Sequence, residues 1–148
     1  MFELIAACPP LDPNSLYCNL LQCTHFARTC VLAERDGAIE GWISGYRPPD
    51  DPQAMFVWQV AVHRDARGCG LGGAMLDALF RFPAVADATR LMTTVTPSNE
   101  ASRRMFAGFA RLHGAELQIR PGFEAESHFG GSHESEELIV IGPLRPRS

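Results

Sequence analysis

The chain has no apolar run approaching the ~20 residues that a helix needs to cross a membrane. Its opening residues, Met1 to Asn14, hold neither Lys nor Arg and only a short apolar stretch, which makes a poor secretory signal. It has no basic excess. The formal charge is −4, so the electrostatic footprint of a nucleic-acid binder is lacking. Such a charge is compatible with a cationic substrate. Among the five cysteines (Cys8, Cys18, Cys23, Cys30 and Cys69) no two form a Cys-x-x-Cys pair, and no Cys/His cluster has zinc-finger spacing. Reduced thiols in a cytoplasmic protein are the simplest reading. A catalytic thiol at Cys69, placed at a helix start, is the sharper alternative, but no orienting His can be identified. There is also no internal repeat, no low-complexity block and no linker long enough to divide two domains. The remainder is ordinary: 148 residues, 46% hydrophobic and 20% charged. That is the size and composition of one globular domain, large enough to bury roughly two-thirds of its unfolded surface.

The order of predicted elements is mixed α and β. Phe2 to Ala7 reads as a helical turn ended by Cys8-Pro9-Pro10. Asp12-Pro13-Asn14-Ser15 is a turn leading into a helix N-cap. Leu16 to Phe26 follows as a helix, with Leu16, Leu20, Cys23 and Phe26 or Ala27 at helical spacing. Thr29–Glu34 and Ile39–Tyr46 are strands joined by Arg35-Asp36-Gly37, where Asp-Gly is a strong hairpin signal. Residues 47–52, with three prolines and three charges, are a loop. Met55 to Val62 is dense in apolar residues and suits a central strand buried on both faces. Gly70–Phe82 is a helix, Arg90–Val95 a strand, and Ser98–His113 a helix begun by Pro97-Ser98 and ended by Gly114. Ala115–Ile119 and Glu136–Ile141 are strands that flank a polar, Gly- and His-rich stretch, Phe123 to Ser135.

Between the strand at Val62 and the next helix lies His63-Arg64-Asp65-Ala66-Arg67-Gly68-Cys69-Gly70-Leu71-Gly72-Gly73. A glycine-rich turn there exposes backbone N–H groups at the positive end of a helix dipole, a cradle for phosphate oxygens. Gly68, Gly70 and Gly72 have no side chain to block a close approach, and Arg67 adds a cation at the rim. The same turn could also hold no ligand at all. A P-loop is excluded, because Gly-Lys-Ser/Thr is absent. Gly68-x-Gly70-x-x-Gly73 formally matches a dinucleotide fingerprint. However, the following strand ends in Thr-Thr-Val-Thr without the acid that fingerprint needs, and the chain is short for a dehydrogenase.

Arg67-Gly68-Cys69-Gly70-Leu71-Gly72 resembles the Q/R-x-x-G-x-G/A signature of the GCN5-related N-acetyltransferases (GNAT). The strand before it and Thr96-Pro97-Ser98-Asn99-Glu100-Ala101-Ser102-Arg103-Arg104-Met105-Phe106 are similar to that family's neighbouring motifs. The resemblance implies the GNAT acyltransferase fold, with a mixed, mostly antiparallel sheet, a splayed central strand and flanking helices. It implies acetyl-CoA as co-substrate and no metal. The pyrophosphate would lie on Arg67, Gly68, Cys69, Gly70, Leu71 and Gly72, and the pantetheine arm along Val60, Ala61 and Val62. Asn99, Ser102 and Phe106 would lie beside the cofactor. The family often has a Tyr seven residues after this Asn as proton donor to the leaving thiolate. Phe106 stands there instead and cannot donate. Either another group protonates the thiolate or none is needed.

A narrower resemblance runs through Leu11–Tyr17, Phe56–Val62, Thr93–Ser102 and Phe129–Glu136 to the diaminobutyrate acetyltransferases of ectoine biosynthesis. It implies transfer to the γ-amine of L-2,4-diaminobutyrate, a homodimer, and a cytoplasmic setting in a bacterium that accumulates an osmolyte. In that group a first strand precedes the Asp-x-Asn-Ser segment. Here ~11 residues precede it, so residues 1–148 are expected to form one acetyltransferase domain that is short at its N-terminus.

The residue chemistry fits such an acceptor. A small zwitterion with an extra ammonium needs acids for its amines and donors for its carboxylate. Asp12, Glu134 and Glu136 can supply the acids, and Asn14, Tyr17, Trp58, Gln59, Thr94 and His133 directional polar contacts. Attack requires a neutral amine, so a base must take a proton; Glu136 or Glu134, acting through water, is the candidate. On a strand both would share one face, with His133 and Glu137 on the other. A backbone N–H near Val60 would meet the oxyanion. Plainer readings stand beside these. Residues 134–137 could be a solvated acidic run, Asp12 and Asn14 could only cap a helix, and Trp58 and Phe106 could be core. A metal at His128, His133 and Glu134 is the least favoured reading. A different small amine as acceptor, or a non-catalytic acyl-CoA-binding module, are the competing functions; paired acids beside the thioester favour an enzyme.

Overall fold

The computed structural model describes residues 1–145. Six strands form one sheet: β1 (Val31–Arg35), β2 (Ala38–Tyr46), β3 (Ala54–Val62), β4 (Arg90–Val95), β5 (Glu116–Phe123) and β6 (Glu136–Gly142), in the spatial order β1-β2-β3-β4-β6-β5. Every neighbouring pair is antiparallel except β3 with β4. The hairpin at Asp36-Gly37 is as expected: both residues have positive φ, +52° and +79°, as a tight two-residue turn between twisted strands requires.

Helices α3 (Leu71–Leu79) and α4 (Glu100–His113) cover one face of the sheet, where Ile43, Met55, Val57, Leu76, Leu79, Leu91, Phe106 and Ile139 form the main core. A smaller core on the opposite face joins Leu4 and Ile5 of α1 (Phe2–Ala6) to Trp42 and Ala61. Alternation along β2 and β3 divides the two cores. Trp42 pairs with Ala61 on one face, while Ile43 pairs with Val60 on the other.

Three differences from the sequence reading have physical causes. Helix α2 (Leu16–Thr24) forms with Ser15 as its N-cap, its side chain accepting from the Cys18 N–H, but it is turned inside out. Asn19 and Gln22 are buried, while Leu16 and Leu20 are 63% and 60% exposed. The Asn19 amide donates to the Pro13 carbonyl (3.2 Å), a contact that its polar side must face inward to make. Helix α4 starts at Glu100, not Ser98, because the Asn99 side chain caps it by accepting from the Ser102 N–H (3.1 Å). Strand β5 runs to Phe123, past a shift in register at Gly122 that lets Phe123 pair with Glu136. A Cβ at Gly122 would collide with the Glu136 carbonyl, so the glycine makes that approach possible. The polar stretch after it holds a short helix, α5 (Ala125–Phe129).

Candidate active site

The sheet is split at its centre. Strands β3 and β4 pair only at Ala54/Arg90, Met55/Leu91 and Phe56/Met92. Beyond Phe56, β3 stays paired with β2, while β4 stays paired with β6 through Val95. The strands therefore part over Val57–Val62, and the backbone groups of β3 that would have met β4 face a gap. An unpaired strand edge inside a protein is a place for a ligand to complete the ladder.

Two clefts open on either side of that gap. The first, about 760 Å³, is walled by Val60 and Val62 of β3, the turn with Arg67, Gly68 and Gly70, the first residues of α3, and one side of α4 from Ala101 to Leu112. Gly68 and Gly70 have φ of +78° and +82°, and Gly70 is the N-cap of α3 with no side chain to satisfy the helix's first amides. Those amides carry the positive end of the dipole and lack intrahelical acceptors. A Cβ on either glycine would meet nothing within 4 Å, so open space lies over the turn. Arg67 closes the rim: its Nε donates to the Val62 carbonyl (3.0 Å), and its Nη2 lies 3.6 Å from the Cys8 sulfur. A free helix N-terminus, a backbone turn open to an incoming group and an unpaired strand suit a long ligand with a phosphate at one end and amides at the other, which fits the phosphopantetheine arm of coenzyme A.

The second cleft, about 1030 Å³, is on the β4–β6 side. Asp12, Trp58, Gln59, Thr94, His133, Glu134 and Glu136 all reach it. Glu136 accepts a short hydrogen bond from the Thr94 hydroxyl. Glu134 accepts from the Ser98 hydroxyl (2.6 Å) and from the Ser98 N–H (3.3 Å). Both carboxylates are thus tethered by the β4–α4 segment rather than loose in solvent. Glu137, next along the strand, points to the other face and pairs with Arg103 of α4. The alternation expected across Glu136 and Glu137 holds. It does not extend to His133, because residues 130–135 are not strand, and His133 turns into the cleft with Glu134. Trp58 lies at the bulge where β2 and β3 shift register, 44% exposed, its ring edge-on to Tyr46. The burial on both faces expected of β3 therefore fails at this residue, which the bulge turns into the cleft. Gln59 is 4% exposed, and its Nε2 donates to the Asp12 carbonyl (2.6 Å). With Asn19 holding the next carbonyl, the Asp12-Pro13 segment is fixed from two sides.

Other candidates sit elsewhere. Tyr17 is 71% exposed on α2 and does not line the cleft. Asn14, in a left-handed turn whose N–H donates to the Asp12 carboxylate, does not line it either. Ala61 turns its side chain into the smaller core. The Cys69 thiol is directed to the Ala66 carbonyl (2.9 Å), out of the first cleft. Phe106 is buried at 2% exposure and borders the second cleft, not the first. Among the described residues no group of His, Cys, Asp and Glu is arranged to hold a metal. The sequence reading missed Ser98 as the anchor of Glu134, and Phe26, Tyr46, Phe123 and Phe129 as the aromatic wall of the second cleft. Ser98 and Phe129 stood inside the motifs, but nothing in one dimension marked where they point.

The sequence model of the acetyltransferase (GNAT) family matches residues 1–109. An L-2,4-diaminobutyric acid acetyltransferase of Methylotuvimicrobium alcaliphilum is 46% identical over 143 residues, 97% of this chain and 83% of that protein. One of Bordetella parapertussis is 48% identical, over 96% and 77%. Among solved structures, diaminobutyrate acetyltransferase EctA from Paenibacillus lautus, in complex with L-2,4-diaminobutyric acid and coenzyme A, superposes with a TM-score of 0.93 at 42% identity, over 99% of this chain and 89% of that one. The split sheet and its phosphate turn are thus those of an acetyl-CoA-dependent N-acetyltransferase, and the chain belongs to the GNAT family, in the branch of the diaminobutyrate acetyltransferases.

Proposed function

We propose that this enzyme transfers the acetyl group of acetyl-CoA to the γ-amine of L-2,4-diaminobutyrate, the acetylation step of ectoine formation, and so serves osmoprotection. The observation that carries the reading is the pair of tethered carboxylates, Glu134 and Glu136, in one cleft with Asp12 and Trp58, beside the point where β3 leaves β4. A diamino acid presents two ammonium groups, and three carboxylates around one cleft match them. The relatives that carry this acceptor in their names support the same substrate.

Acetyl-CoA enters through the first cleft. Its pyrophosphate lies on the α3 amides and Arg67, and its pantetheine arm completes the open edge of β3 at Val60–Val62. The acceptor enters through the second. Glu136, or Glu134 through a water, takes a proton from the γ-ammonium, and the neutral amine attacks the thioester carbonyl directly, with no acyl-enzyme. A backbone N–H of β3 near Val60, freed by the split, meets the oxygen as charge builds on it. Asp12 holds the α-ammonium, with Trp58, Gln59, Thr94 and His133 around the rest of the acceptor.

Residues 1–148 are read as one acetyltransferase domain; the membership of all six strands in one sheet supports this. A homodimer is part of the reading, supported by the outward face of α2, where Leu16, Tyr17 and Leu20 lie bare. So is a cytoplasmic setting, supported by five free thiols. The test is direct. Purified protein mixed with acetyl-CoA and L-2,4-diaminobutyrate should release free thiol, and NMR of the product should place the acetyl group on the γ-nitrogen. Absence of thiol release with this and related diamines would sink the reading.

A further inference from the structure

We propose that the Ser102 hydroxyl carries the proton to the sulfur of the departing CoA, the task left open by Phe106. The inference deepens the acetyl-transfer reading and rests on it. If the thioester comes through one cleft and the amine through the other, the bond that breaks lies where the clefts meet. Five residues border both: Pro10, Leu11, Val60, Asn99 and Ser102. Three of these have apolar side chains. Asn99 spends its side-chain oxygen on the Ser102 N–H, and an amide N–H does not give up its proton. Ser102 is half-buried, and its hydroxyl enters no hydrogen bond within the described residues. It stands one turn before Phe106 on the same side of α4, so the two side chains flank one spot. Among these shared residues it is the one exchangeable hydroxyl.

A serine hydroxyl is too weak an acid to protonate a thiolate outright. It can act as a relay. After a carboxylate has removed the first proton, the nitrogen attacks, the N–C bond forms and the C–S electron pair leaves with sulfur. The nitrogen then carries one surplus proton. The Ser102 oxygen accepts it while its own proton passes to sulfur, leaving amide, CoA thiol and an unchanged serine.

The test is Ser102→Ala, which keeps the backbone N–H and therefore the Asn99 cap. Turnover is followed by thiol release, and CoA affinity by calorimetry. The expected result is a fall in kcat of about 100-fold, with CoA affinity within about twofold and most of the rate recovered by Ser102→Thr. The proposal is overturned if Ser102→Ala keeps kcat within about threefold, or if CoA affinity falls in step with kcat. The unchanged protein's choice of acceptor tests the substrate. The ratio of variant to unchanged protein, read with any amine it accepts, tests Ser102, so the two ideas fail separately.

Discussion

The two clefts that meet at Val60 are built from different material. The first is made of backbone: two glycines at positive φ, the free amides of α3 and the unpaired edge of β3. The second is made of side chains brought from four places in the chain, around Asp12, Trp58, Thr94 and Glu134–Glu136. A backbone cradle binds whatever carries the right phosphate and amides, and so can serve many acceptors. A side-chain cleft is tuned to one kind of acceptor, because each carboxylate is placed by its own anchor, Thr94 for Glu136 and Ser98 for Glu134. Outside the five residues that border both, substitutions in the first cleft should therefore weaken the cofactor alone, and those in the second the acceptor or the chemistry alone.

The largest effect is expected at Glu136. Glu136→Gln keeps the shape and removes the proposed base, so kcat should fall by about 100-fold or more while KM for acetyl-CoA stays put. Glu134→Gln, measured beside it, decides which carboxylate takes the proton. If both variants keep full rate across the pH range, neither is the base and the division of labour collapses. Next comes Gly70→Ala. A side chain at φ +82° costs about 1–2 kcal/mol locally, so the turn should shift and KM for acetyl-CoA rise about tenfold with KM for the acceptor unchanged. A parallel rise in acceptor KM would show that the clefts are not independent. Gln59→Ala releases the Asp12 carbonyl and should raise acceptor KM by about five- to tenfold, consistent with loss of one buried hydrogen bond, leaving the cofactor side untouched.

The smallest effects lie outside both clefts. Burial pushes the Cys30 thiol up to about 11, so at neutral pH it should resist a thiolate-directed label that reacts with exposed Cys23 and Cys69; rapid labelling of Cys30 would show that the β1 end of the sheet opens easily. The Arg90 hydrogen bond holds the Asp51 carboxyl below its ordinary range. A lowered folded value means a contribution present above the unfolded value and lost as pH falls through the folded one. Asp51→Asn should therefore flatten the acid limb of a Tm-against-pH curve below about pH 4, and only slightly, since both side chains stay partly open to water.

Most of the elements, and the glycine turn proposed to hold the cofactor, were legible in the order of residues. A turn of glycines between a buried strand and an apolar-periodic helix is a local feature, and its backbone groups come from neighbouring residues, so Arg67–Gly72 could be read in one dimension. The hairpin at Asp36-Gly37 and strand β4 were legible for the same reason. What depends on the direction of a side chain came from the packing of the folded chain. Helical spacing in α2 pointed Leu16 and Leu20 inward, yet a buried amide's need for the Pro13 carbonyl turned Asn19 in and the leucines out. A strand period placed His133 opposite Glu134, but the chain there is not strand, and the two share a cleft. Residue periodicity does not show that β3 and β4 part, or that they do so after Phe56; the splay is implied only by the resemblance of the neighbouring motifs. That parting leaves Val60 and Ser102 bordering both clefts and the carboxylates lining the second, because hydrogen bonds to β2 and to β6 hold the two strands from opposite sides.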